Sequence, residues 1–400
     1  MLDKLEKIVQ RCVCCGFCNS VCPVYNELEI ESVSARGKLA IIVELIKGNI
    51  KPSKRLKQIL SLCLCCNTCG NNCPNNIPVS EIIAIYRSRL KSNIVEDIIF
   101  DKFLPSSNSL FNLSMSILGL IQDKFGNLKK SNVSTKIDLP FLNSFSDRLI
   151  PHITDRFFSR NIDEFNYSNN EKYRVLFFPG CLVNYFYPEL GNKIVEFLTK
   201  HQTTVIVPYN LKCCGLPSYI SGKISSFIEL VKFNFNILNN YKYDYILTLC
   251  PSCGTILKDM HYVDEVKSSD ISKKVLDLSE FIIKIYKNEI NLKPLKGVVT
   301  YHSSCHLKNI QKVVNEPLYI LRQYDNFTLP LFDQCCGFGG FFSFKHYDIS
   351  IKIALKRVES IKQIKASTLI VSCPACMIHL RDGIQKSSLD IDIKHIVELL

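Results

Sequence analysis

Two short cysteine-rich stretches constrain this chain more than any other feature. Residues 12–18 read CVCCGFC and residues 63–69 read CLCCNTC, each with four cysteines in seven positions and the doubled cysteine at the same place. The chain holds 20 cysteines in 400 residues, which leaves two readings: a disulfide framework in an exported protein, or thiolates kept for metal. The opening MLDKLEKIVQ alternates charge and has no apolar h-region or small-residue cleavage site, so it does not read as a secretion signal. The best candidate span, SLFNLSMSILGLI at 109–121, is too short for a bilayer and is interrupted by Asn112, Ser114, Ser116 and Gly119. A cytoplasmic, reducing setting is therefore expected, in which the thiols remain available to metal.

The spacing says which sulfurs those are. Cys12, Cys15, Cys18 and Cys22 make C-x2-C-x2-C-x3-C, followed by Pro23; Cys63, Cys66, Cys69 and Cys73 repeat it, followed by Pro74. This is the bacterial ferredoxin run for a [4Fe–4S] cluster, whose fourth cysteine serves the other cluster of a pair. Two [4Fe–4S] clusters are expected, one held by Cys12, Cys15, Cys18 and Cys73, the other by Cys63, Cys66, Cys69 and Cys22. Cys14 and Cys65 fall in slots the motif leaves free and read as small buried hydrophobes. ESVSARGKLAIIVELIKGNI (31–50) and SEIIAIYRSRLK (80–91) have helical apolar periodicity, the latter with Ser80 as its expected N-cap.

Beyond a Ser- and Asn-rich segment lies an internal repeat. The first copy runs from YRVLFFPGC, ending at Cys181, through the expected strand TTVIVPY to Cys213-Cys214-Gly215. It closes with the expected strand YDYILTLC and C-P-S-C at Cys250 and Cys253. The second runs from KGVVTYHSSC, ending at Cys305, through FTLPLFDQ to Cys335-Cys336-Gly337, and closes with STLIVSC and C-P-A-C at Cys373 and Cys376. Equivalent cysteines are 122 to 124 residues apart. In each copy they fall at C-terminal ends of expected strands, the edge where parallel α/β sheets bind ligands. Each copy is therefore expected to gather its five sulfurs in a pocket of its own. Gly215 and Gly337 would let the backbone turn and approach a cofactor. One or two further iron–sulfur clusters suit five thiolates better than zinc, which takes four ligands. His302 and His306 flank Cys305 closely; each reads either as a packing or capping residue, or as tuning a cluster or delivering protons.

The expected fold class is α+β and multidomain. It comprises a helical two-cluster ferredoxin domain (1–95), a helical linker and docking segment (96–170) and two tandem α/β domains (171–292 and 293–400) related by pseudo-twofold symmetry. The formal charge of +12 comes from scattered lysines rather than an Arg/Lys stripe with interleaved aromatics, so no nucleic-acid partner is expected.

The pattern Cys181…Cys213-Cys214-Gly215…Cys250-x-x-Cys253, repeated from Cys305, resembles the cysteine-rich CCG domain. That domain occurs in heterodisulfide reductase, in the iron–sulfur subunits of glycolate oxidase and of anaerobic glycerol-3-phosphate dehydrogenase, and in lactate-utilisation iron–sulfur proteins. ESVSARGK, FFPGC and CCGLP are closest in character to the glycolate oxidase version, whereas CCGFGGFFSFK (335–345) is similar to the lactate-utilisation version, with Phe341 where a smaller residue is expected. The resemblance implies an electron-transfer subunit beside an FAD-linked 2-hydroxy-acid (glycolate or D-lactate) dehydrogenase. It would feed a quinone or cytochrome component of the membrane and could sit peripherally on the membrane's inner face through those partners. No G-x-G-x-x-G with its ribose-binding acid is present and no catalytic base stands out, so the flavin is expected on a partner. Two alternatives belong to other classes: a heterodisulfide-reductase-like subunit cleaving a disulfide at CCG-bound clusters, and a zinc-stabilised interaction module.

Overall fold

The computed structural model describes residues 2–106, 108–128, 134–137, 148–154, 156–259, 270–286 and 290–400. The N-terminal part is helical. Ala35–Ile46 is capped by Ser34, whose hydroxyl accepts from the Gly37 amide at 3.0 Å, and buries Ala35, Lys38, Leu39 and Ile42 along one stripe. Val79–Ser88 packs beside it with Ile82, Ile83, Ile85 and Tyr86 buried. Its N-cap is Pro78, not Ser80; Ser80 lies in the first turn and donates to the Asn67 side chain at 3.1 Å.

The following segment is helical at Asn108–Phe125 but also contributes three short antiparallel strands, β1 (Gly126–Leu128), β2 (Ser134–Ile137) and β3 (Ile150–Pro151), so it is not the all-helical linker expected. Most of its KKSNVSTK stretch lies outside the described residues. The buried face of the helix, with Met115, packs on Ile153, Phe157 and Tyr185.

Two sheets follow. The first has the order β4-β6-β5-β7-β8, from Phe165–Asn166 (β4), Tyr173–Phe177 (β5), Thr203–Ile206 (β6), Tyr245–Thr248 (β7) and Val275–Asp277 (β8); only β4 is antiparallel. The second has the order β11-β10-β9, all parallel, from Val298–His302 (β9), Ala366–Val371 (β10) and Asp392–His395 (β11). Their runs of β-branched and aromatic residues are buried because helices cover both faces. Strands β5, β7 and β8 occupy the same order as β9, β10 and β11. The FTLPLFDQ stretch forms only an isolated bridge, Val299 to Phe327, where the first copy has β6. Pro330, without an amide hydrogen, cannot extend that pairing.

The C-terminal edges of the two sheets face one another. Helix Pro251–Lys258 of the first half packs on the turn His306–Gln311 of the second, and Gly180–Tyr185 packs on Pro374–Lys386. Polar contacts join them: Gln311 Nε2 donates to the Pro251 carbonyl at 2.7 Å, Ser252 Oγ and His306 Nδ1 share a hydrogen bond at 2.8 Å, and His395 Nε2 meets the Leu249 carbonyl at 3.0 Å. Among the described residues no helix is long and apolar enough to cross a membrane.

Candidate metal centres

The two N-terminal cysteine loops exchange their last cysteines. Cys12, Cys15 and Cys18 line one cavity together with Cys73; Cys63, Cys66 and Cys69 line a second with Cys22, Cys69 bordering both, and Cys14 and Cys65 line the first and the second beside the motif cysteines. The local cause is repeated: short helices Phe17–Ser20 and Thr68–Asn71 start from left-handed residues, Gly16 and Asn67, and carry the third cysteine of each run. These helices pack against each other, so the fourth cysteine of each run emerges beside the opposite loop. The four motif thiols of each cavity are a donor set that suits a cubane cluster. Burial pushes the Cys22 thiol up to about 11, so a lone thiolate there is unfavourable and a metal that takes the charge removes the penalty.

The two sites differ in exposure. Cys14 and Cys15 are exposed, and Val13 and Phe17 on the same loop are 67% and 63% exposed, so the first site sits at the surface. The second is walled in: Cys65 and Cys66 are buried, and Lys38 reaches into the cavity from its helix, donating to the Val33 carbonyl. Arg87 clamps the second loop through the carbonyls of Leu60 (2.7 Å), Cys63 (2.7 Å) and, from the first sheet domain, Ile220.

Cys14 and Cys65, expected as buried hydrophobes, part company. Both have left-handed backbones, φ 55° and 52°, because the loop must reverse between two ligands. Cys65 is buried and accepts from Arg87 at 3.4 Å, whereas Cys14 is exposed, with its carbonyl taken by Arg36 at 3.4 Å. Cys14→Gly should keep the wild-type iron content and raise stability by about 1 kcal/mol through relief of the left-handed strain. Cys65→Ala should also keep its iron but lose about 1 kcal/mol with the Arg87 contact. Iron analysis with thermal melts checks both; loss of about four irons in either variant would mean the ligands were misassigned.

The ten cysteines of the repeats do not form two separate pockets. Cys181, Cys213, Cys214, Cys250 and Cys253 and their counterparts Cys305, Cys335, Cys336, Cys373 and Cys376 all line one cavity of about 280 Å³. The facing sheet edges merge what either half alone would keep apart, and Cys250 touches Cys373 across the boundary. Within the second half, the sulfurs of Cys336 and Cys376 lie 3.3 Å apart and those of Cys335 and Cys305 4.0 Å apart. A set of ten thiols round one void, with Cys253 and Cys373 among the most buried, suits metal–sulfur chemistry rather than a packed core. Gly215 and Gly337 have φ 90° and 89°, but a Cβ on them would strike Phe227 (2.9 Å) and the Ser350 carbonyl (2.7 Å). Their bare faces serve helix packing rather than close approach of a cofactor.

Phe341 forms part of the wall, edge-on to Phe100 at 5.3 Å, so its bulk and the segment after the ferredoxin domain narrow the cavity together. His306 lines it too. Leu64 belongs both to this cavity and to that of the second ferredoxin site, and Cys66 packs in contact with Cys335. Asn309 fixes this junction by donating to the Cys66 carbonyl and Thr68 Oγ1, both at 3.0 Å. Sequence reasoning missed Lys38, Arg87 and Asn309. Only Lys38 left a signal: a lysine at an apolar-stripe position, between Ala35 and Ile42.

Comparison with known proteins agrees with this geometry. The family described as cysteine-rich domain, CCG, matches residues 175–258 and 299–381, and the 4Fe-4S dicluster domain matches residues 8–77. A probable glycolate oxidase iron-sulfur subunit of Bacillus subtilis is 25% identical over 97% of this chain and 92% of its own length. Lactate utilization protein A of a Geobacillus species is 31% identical over 57% of this chain and 98% of its own length. One of the subunits of a fumarate reductase (CoM/CoB) from Methanothermobacter marburgensis is 34% identical over 57% of this chain. The match spans 46% of that polypeptide, and with two further archaeal relatives it covers 51% and 49% of their length. The dicluster domain carries two [4Fe–4S] clusters, and the CCG cysteines mark further iron–sulfur sites.

Proposed function

The chain belongs to the family of iron–sulfur proteins in which a two-cluster ferredoxin domain is joined to two CCG domains, and from that premise we propose that it is the electron-carrying subunit of a flavin-dependent 2-hydroxy-acid (glycolate or D-lactate) dehydrogenase or oxidase complex. It takes electrons from an FAD-linked flavoprotein and passes them toward a quinone or cytochrome component of the membrane. It works in the cytoplasm, held at the membrane's inner face through those partners. The observation that carries this reading is the continuous line of cysteine sites. It runs from the surface loop of Cys12, Cys15, Cys18 and Cys73, through Cys22, Cys63, Cys66 and Cys69, to the ten-cysteine cavity across the Cys66–Cys335 contact. We assign those eight N-terminal cysteines as ligands of the two [4Fe–4S] clusters and the ten of the cavity as ligands of the CCG clusters. We also read residues 1–95, 96–170, 171–292 and 293–400 as the functional units, with the last two related by a pseudo-twofold axis. The reciprocal packing of Pro251–Lys258 and Gly180–Tyr185 on the opposite half supports that relation.

Iron–sulfur clusters accept electrons singly, which lets a two-electron flavin unload in steps. The chain's own part is to hold the thiolates at short separations, to exclude water from the second site, and to leave the first at the surface.

The shared cavity favours a second reading, in which a substrate disulfide is reduced there, two electrons and two protons yielding two thiols. Reconstitution with the candidate flavoprotein separates the two. Glycolate- or D-lactate-dependent reduction of a quinone analogue is expected only when both chains are present, and the isolated chain should be inert toward either acid. Quinone reduction indifferent to this chain, together with disulfide reduction by the chain alone, would establish the second reading instead.

A further inference from the structure

His302 ends β9 and is fully buried, yet neither Nδ1 nor Nε2 has a hydrogen-bond partner among the described residues. The other deeply buried histidines are paired. His379 shares a hydrogen bond with Ser350 Oγ at 2.8 Å, and His395 is held by the Leu249 carbonyl and the Val397 amide. Leaving a buried donor or acceptor unpaired is costly, and His302 would bear that cost at both nitrogens. A ring nitrogen of His302 and the sulfurs of Cys336 and Cys376 all lie within 4.8 Å of one another, the spread of a single metal's ligands after slight closure. Imidazole and thiolate both suit iron.

The first half has nothing comparable. The offset of 124 residues that sets Cys181 on Cys305 sets Phe178 on His302, and Phe178 is buried with no donor to offer. The strand end carrying His302 is held in place from within the second half. Arg357, buried beneath it, donates to the Tyr301 carbonyl at 3.0 Å and to the Phe332 carbonyl.

We propose that His302 is a nitrogen ligand to an iron of the group held by Cys336 and Cys376, so that the two CCG sites are chemically unequal. The proposal rests on iron–sulfur clusters occupying the CCG cavity, but not on which partner supplies electrons. Both halves offer five thiolates, so His302 adds a neutral donor that the first site lacks, and an iron bound by neutral imidazole is easier to reduce than one bound by thiolate alone. The second site is therefore the electron sink of the cavity and the first the weaker acceptor.

The test uses the full chain, anaerobically purified, without any partner. In protein labelled with ¹⁵N-histidine, pulsed EPR of the reduced state should reveal a directly bonded histidine nitrogen. His302→Phe, which copies the first half, should abolish that coupling. It should also lower one CCG potential by at least about tenfold in the reduction equilibrium, about 59 mV for one electron, while the two ferredoxin signals stay as folding controls. His302→Cys should keep the wild-type iron content, lose the nitrogen coupling and lower the same potential, since its thiolate is anionic where the imidazole is neutral. Absence of the coupling in wild type, or its survival in His302→Phe, would overturn the assignment. So would one zinc per chain that leaves with His302→Phe. Failure of the flavoprotein reconstitution would leave all these readings unchanged, so the two proposals fail separately.

Discussion

Replacing Cys22 with alanine will empty the site on the other cysteine loop, not the one on its own. Cys22 follows the first run in sequence but shares a cavity with Cys63, Cys66 and Cys69, while Cys73 shares one with Cys12, Cys15 and Cys18. The expected loss in Cys22→Ala is about four irons per chain together with the EPR signal of the buried cluster. Cys73→Ala should lose the same amount of iron but the signal of the surface cluster. The consequences for stability differ as well. The buried site lies in an apolar layer where Val24, Leu64 and Cys66 pack on Cys335, Phe342 and Ile353 of the second CCG half. Metal binding there is also folding free energy for the junction between domains. Cys22→Ala should therefore lower the melting temperature more than Cys73→Ala. Should Cys22→Ala and Cys18→Ala erase the same signal, the crossed assignment is wrong.

The ligand sets were legible because cysteine spacing is a local code and the repeat gives it twice. The strands were legible for a similar reason: runs such as VLF, YILT and STLIV can only be buried on both faces. What sequence could not show lies in contacts between distant residues. Ser252 with His306, Gln311 with Pro251, and Cys66 with Cys335 follow no period, yet they turn two expected pockets into one cavity next to the ferredoxin domain. Cys14 and Cys65 hold equivalent motif positions, but only the second loop is covered by Arg87 and the neighbouring domain, so spacing could not tell exposed from buried. Pro330 was visible in FTLPLFDQ and could have warned that the second copy lacks a full counterpart of β6. Phe341 is larger than the residue expected at its position, and its bulk packs edge-on against Phe100, a residue far away in the chain.

Lys38→Met is expected to make the buried cluster harder to reduce while leaving the surface cluster unmoved. Lys38 is 2% exposed and lines the cavity of Cys22, Cys63, Cys66 and Cys69. The groups that act on it most strongly are the thiolates of Cys63 and Cys22, the Arg87 guanidinium and the thiolate of Cys69. Burial pushes its pKa down and the thiolates of Cys63 and Cys22 pull it up. A buried cation without a counter-ion costs several kcal/mol, and the anionic set of four thiolates is what offsets it here. Adding an electron to that site increases its negative charge, so the ammonium stabilises the reduced state more than the oxidised one. Its removal must lower the potential. A change of at least about tenfold in the reduction equilibrium is expected, about 59 mV for one electron, in a redox titration followed by EPR. The metal-free proteins should behave oppositely: without the cluster the ammonium is only a burden, and metal-free Lys38→Met should melt at a higher temperature than metal-free wild type. An equal shift of both cluster signals would show that Lys38 acts through the overall field rather than this site. No shift at all, with the melting order reversed, would show that its hydrogen bond to Val33 is its whole role.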